Sequence, residues 1–114
     1  MLAMLTLELE ARDPASNRLR RWHIAISHDL LGTWVADVQF GRIGSRGRQV
    51  RLVFERQSSA DDFLRERLRR RATAKRRIGV AYCYVRASHE VRDMLTMFGI
   101  QPAGWSAPAQ VKAL

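Results

Sequence analysis

An α+β domain is predicted: a twisted antiparallel β-sheet of four to five strands with one long helix packed on it and a short C-terminal helix. Three observations predict it. Four stretches alternate apolar and polar residues with period two, short connections rich in Gly, Pro, Asn and Asp separate them, and one long stretch of helical periodicity follows the fourth. Strands joined by turns and then a helix form the pattern of an antiparallel meander covered on one face.

Residues 2–10 set Leu5, Leu7 and Leu9 on one face and Thr6, Glu8 and Glu10 on the other, as an edge or outer strand. A turn follows over residues 13–17, because Pro14 fixes φ and lacks an N–H while Ser16 and Asn17 readily bond their own backbone. The second strand, residues 18–27, places Trp22, Ile24 and Ile26 on one face, and residues 28–32 turn the chain again. The third, residues 33–40, alternates Trp34, Ala36, Val38 and Phe40 against Val35, Asp37 and Gln39. The fourth alternates Val50, Leu52 and Phe54 against Arg51 and Glu55. Trp22 and Trp34 belong to the core. Between the last two strands lie Gly41, Gly44 and Gly47 together with Arg42, Arg46 and Arg48. Gly44 and Gly47 supply the positive φ of a tight or bulged hairpin loop, which holds the three arginines at its tip.

The helix starts after Gln57 with Ser59 as N-cap and Asp62 completing a weak capping box. Ala60, Phe63, Leu64, Leu68 and Ala72 form its apolar stripe, Asp61–Arg65 and Glu66–Arg70 are spaced as i,i+4 pairs, and Gly79 ends it. Residues 80–86 return as a strand, in which Cys83 is buried and Tyr82 and Tyr84 share a half-buried face. A short helix over residues 88–98 carries Ser88 as cap and Val91, Met94, Leu95 and Phe98 on one face, with Gly99 as its stop. One domain thus spans residues 1–99, with its core in 5–86, and residues 100–114 form an irregular tail. Trp105 in that tail either docks back on the domain or serves a partner.

The chain carries 20 Lys+Arg against 11 Asp+Glu over 114 residues, a formal charge of +9. Of the cations only Lys75 and Lys112 are lysine. Such an excess favours anionic partners, nucleic acid first, and arginine forks match phosphate bidentately. A single cysteine excludes an internal disulfide and a cysteine-based zinc site, and fits a reducing cytoplasm. The N-terminal segment lacks the basic start of a signal peptide, and no apolar run approaches the ~20 residues of a membrane span. The expectation is a soluble cytoplasmic protein. His23, His28 and His89 fall in different elements without metal-ligand spacing, and no nucleophile elbow or Walker loop is present. The pattern predicts no enzyme, no metal, no cofactor and no small-molecule substrate.

Phe40-Gly41-Arg42-Ile43-Gly44-Ser45-Arg46-Gly47 resembles the signature of the WGR domain, named for Trp-Gly-Arg and followed by Ile-Gly and a further Gly. The context agrees over roughly residues 5–84: Gly32 and Trp34 precede the motif, and a helix with Ala60, Phe63 and Lys75 closing on Gly79 follows. Two departures stand out, Phe40 in place of the Trp and Gly79-Val80 in place of a closing Gly-Tyr.

The resemblance implies a non-catalytic module for nucleic acid. In DNA-dependent poly(ADP-ribose) polymerases the motif's Trp and Arg sit against the DNA end and neighbouring domains. Carried over, it marks Phe40, Gly41 and Arg42 as contacts to double-stranded DNA without sequence specificity, at ends or breaks. Position in the loop adds Arg46 and Arg48, and the basic helix run of residues 65–77 adds Arg69 and Arg76. Each reading has a bland counterpart: Arg42 pairs with a carboxylate and pins the hairpin, Phe40 packs in the core, and the helix arginines form a solvated face. The alternative function is a protein–protein adaptor without DNA contact, and an open sheet edge would also allow a homodimer.

Overall fold

The computed structural model describes residues 2–104, with side chains from residue 5 onward; residues 105–114 of the expected tail, Trp105 among them, lie outside the described residues. The strands are β1 (Leu2–Asp13), β2 (Arg18–His28), β3 (Trp34–Arg42), β4 (Arg48–Phe54) and β5 (Cys83–Ala87). They form one antiparallel sheet in the order β4-β3-β2-β1-β5. The helices are α1 (Gln57–Ala72), α2 (Ala74–Ile78) and α3 (Arg92–Met97), the last entered through a 3-10 turn at His89–Val91.

Alternation sets the core. Leu9, Trp22 and Phe40 are cross-strand neighbours, as are Leu7, Ile24 and Val38, so these rows line one face of the sheet. Ala60, Leu64 and Leu68 of α1 and Val91 and Leu95 at the C-terminal end pack on that face in one cluster. The opposite face carries Glu8, His23, Asp37 and Arg51, and among the described residues no helix of the core cluster packs on it. The expected α+β architecture is therefore the observed one.

Several local expectations differ from the structure, each for a tertiary reason. β1 is no outer strand: β5 pairs with it, and Leu7 and Leu9 are fully buried. β5 itself starts at Cys83, three residues later than expected. Its outer edge is closed by the start of the tail, where Tyr84 N–H donates to the Gln101 carbonyl and Ala103 N–H to the Tyr84 carbonyl, each at 2.9 Å. Ile100 and Ala103 are buried there.

α1 opens at Gln57 behind an extended Arg56, with no side-chain cap, so Ser59 lies inside the first turn. Its entry is fixed instead by packing, the Phe54 and Phe63 rings lying 5.6 Å apart. The single long helix is broken at Thr73, whose hydroxyl donates to the Arg70 carbonyl at 3.0 Å, a local bond that competes with helix continuation. Gly79 ends α2 with φ 84°. Glu66 pairs with Arg69 at i,i+3 in place of Arg70. Ser88 serves β1, its hydroxyl accepting from Thr6 N–H at 3.1 Å. Among the described residues no helix is long and apolar enough to cross a membrane.

Candidate nucleic-acid interface

The glycines of the β3–β4 hairpin are set by close approach as much as by φ. A Cβ on Gly41 would stand 2.7 Å from the Cα of Gly47, and one on Gly47 would overlap the Phe40 carbonyl oxygen. With no side chain at either position the loop folds back on β3. Ser45 Oγ then donates to the Arg42 carbonyl at 2.7 Å, and the Arg21 guanidinium donates to the Ser45 carbonyl at 3.0 Å.

This fold-back aims Arg42 at the β1–β2 turn. Its guanidinium donates to Asn17 Oδ1 at 2.8 Å and to the Asn17 carbonyl at 3.4 Å. Asn17 is the one non-glycine with positive φ among the described residues, at 60°. Arg42 does pin the hairpin, to an amide and with no carboxylate. Among the described residues no carboxylate neutralises its charge.

Arg42 lies directly across from Arg20 on β2, one row beyond Trp22 and Phe40. The core face of the sheet therefore runs out into two arginines paired across the strands, and like charges so placed are unfavourable unless an anion joins them. Around them is a cleft of about 490 Å³ whose walls include Arg18, Arg20, Arg21, Arg42 and Arg71, and no acid. A smaller recess beside it adds Arg70 and Arg77. The ion pairs Arg12–Glu10, Arg51–Asp37 and Arg69–Glu66 involve none of these side chains.

Arg71 joins helix to sheet. Its guanidinium lies 4.4 Å from the centre of the Trp22 ring and 5.8 Å from that of Tyr82, and its Nε is buried without a hydrogen-bond partner. Burial drives its pKa well below the ordinary guanidinium value, down to about 10; Tyr82 opposes the shift, while Arg67, Arg70 and Arg77 add to it. A cation held among like charges with no carboxylate gains from any anion that enters. At neutral pH it remains charged. Arg71→Met keeps an apolar stem over Trp22 and removes the buried charge. Thermal unfolding is expected to show stability unchanged or raised by ~0–2 kcal/mol, the relief of burial being partly offset by the lost cation–π contact. A loss of more than that range would show that the charge itself stabilises the fold.

The expected site residues separate in space. Phe40, Gly41 and Arg42 line the cleft. Arg46 and Arg48 are exposed on the hairpin and outside its walls, Arg48 standing opposite Phe40 at the start of β4. Arg69 is engaged with Glu66, and Arg76 is exposed on α2 away from the cleft. α1 instead contributes Arg71 to the cleft and Arg70 to the recess, and α2 contributes Arg77 to the recess. The signal for Arg71 was present in the sequence: it follows Leu64 by seven residues and Leu68 by three, which puts it on the buried stripe in the place given to Ala72. Ala72 is exposed.

The other chemistry-bearing groups stay apart. His28 stacks on Trp34 with ring centres 4.4 Å apart. Burial lowers the pKa of His23, with Glu8 opposing, and raises that of the half-buried Cys83 thiol. Among the described residues no group of three or more His, Cys, Asp or Glu is placed to hold a metal ion.

The family model of the WGR domain matches residues 5–76, well over half of the chain. The chain belongs to the WGR-domain family. The family is one of nucleic-acid-binding modules, and in this WGR domain the matched segment contains the four-strand meander except the first three residues of β1, the glycine-pinned hairpin and all of α1. β5, α3 and the tail residues that close the sheet edge lie beyond it. No curated protein matches the chain.

Proposed function

We propose that this WGR domain is a non-catalytic module that binds double-stranded DNA without sequence specificity, engaging ends or breaks through the arginine cleft. One observation carries the reading: arginines from β2, β3 and α1 converge on one acid-free cleft, while the ion-paired arginines lie outside it. Such a surface takes phosphates by charge-assisted bonds and releases counterions, so affinity falls linearly with salt on logarithmic axes.

Fluorescence anisotropy with a short duplex tests it. Arg42→Ala is expected to weaken binding about 10- to 100-fold, the worth of a hydrogen bond to a charged group, and to reduce the salt slope by about one. Losing the Asn17 tie costs stability only ~1 kcal/mol. Arg69→Ala should leave affinity nearly unchanged. Equal losses in the two variants would mean a diffuse basic surface, and unchanged affinity in Arg42→Ala would remove the cleft from the account.

The adaptor reading has one observation in its favour. At the opposite end of β3, the β2–β3 turn presents Leu30 and Leu31 at 94% and 90% exposure. Two adjacent leucines held in water by a turn that Asp29 ties to Leu31 and Thr33 N–H groups are a handle for a protein partner.

A further inference from the structure

Beside the cleft lies a second cavity of different character. It is a groove of about 300 Å³ between β3–β4 and α1, floored by Trp22, Phe40, Leu52 and Phe63 and rimmed by Arg67 and Arg71. Phe40 and Arg71 wall both cavities, so groove and cleft adjoin. Arg67 lies 4.7 Å from the centre of the Phe63 ring, and Arg71 covers Trp22 in the same way. Two guanidinium planes thus stand over two aromatic rings along one apolar trough.

We propose that this groove receives an unpaired nucleobase from a single-stranded extension of a DNA duplex, while the neighbouring phosphates occupy the arginine cleft. The inference rests on the function proposed above and adds a ligand for a cavity that function leaves unused. Charge complementarity selects the occupant. A purely apolar ligand would leave the rim arginines unanswered, and a phosphate alone would gain nothing from the phenylalanines. A nucleotide offers a flat apolar ring attached to an anion, and unstacked bases are held between aromatic rings and arginine planes. The Arg67–Phe63 stack opens by a rotation of the exposed Arg67 side chain, after which the base lies between them.

The test compares three duplexes by anisotropy: blunt, extended by a short single-stranded segment, and extended by the same segment made abasic, with both extension polarities examined. The expected result is binding about 5- to 100-fold tighter to the base-bearing extension than to the abasic one for at least one polarity. Phe63→Leu conserves apolar volume and removes the ring, and should abolish most of that preference while leaving the blunt duplex bound as before. Val50→Glu, on the partly exposed wall of the groove, should do the same by placing a carboxylate there, and covers the case in which Phe63→Leu does not fold. Equal binding of base-bearing and abasic extensions, with the blunt duplex still bound in a salt-dependent way, overturns the groove assignment and leaves the DNA reading intact. A preference that survives both substitutions also overturns it. Failure to bind any duplex removes both proposals.

Discussion

Trp22→Ala is expected to destabilise the protein by about 3–5 kcal/mol, the usual range for deleting a buried indole. Trp22 is 1% exposed and occupies the middle of the cross-strand row that runs from Leu9 to Phe40. α1 covers it from above through Arg71. No neighbour on a sheet can collapse into the vacated volume without disturbing that row. The loss should appear in thermal denaturation as a fall in Tm of about 15 °C or more. The same change removes the platform that holds the Arg71 guanidinium, so the fraction still folded should also bind DNA less well. A loss below ~1 kcal/mol would mean that the ring is not the centre of the core.

Gly47→Ala is expected to cost about 2–4 kcal/mol, against about 1–2 kcal/mol for Gly44→Ala. Both glycines have positive φ, 69° and 88°, so both substitutions meet the left-handed penalty. Only at Gly47 does the new methyl also overlap backbone, the carbonyl of Phe40, whereas at Gly44 it meets nothing within 4 Å. Comparison of the two variants by urea denaturation isolates the second effect. Equal losses would contradict the close approach that defines this hairpin. Because the fold-back positions Arg42, Gly47→Ala should also weaken DNA binding more than Gly44→Ala does.

The strands were legible because the face packed against the helices is buried, which calls for apolar residues at Trp22, Ile24 and Ile26 and at Trp34, Ala36 and Val38. The turns expected at residues 13–17 and 28–32 were legible for local reasons, the first through the chemistry of Pro14 and Asn17; in the structure the Asp29 carboxylate ties the second. What escaped was nonlocal. Nothing within residues 2–10 tells that a strand from residues 83–87 will pair with them, so β1 read as an outer strand. The break at Thr73 depends on a side-chain bond that competes weakly with the helix and on burial of Ala74. At the site, sequence placed Phe40, Gly41 and Arg42 together because they are contiguous. From the helix run it chose Arg69 and Arg76, whereas the structure brings Arg71 to the cleft and Arg70 and Arg77 to the recess beside it, since charge runs look alike until the buried stripe is drawn through Arg71. Arg20 and Arg42 facing each other required the strand register.

In the proposed mode of binding, the acid-free cleft rather than the basic surface at large receives DNA. The most direct measurement is NMR of the arginine side-chain Nε–H resonances during titration with a short duplex at near-physiological salt. The signals of Arg20, Arg42 and Arg71 are expected to shift first and most, while those of Arg51 and Arg69, each held by a carboxylate, stay in place. Uniform small shifts over all the arginines, or the largest shifts at Arg51 and Arg69, would contradict it.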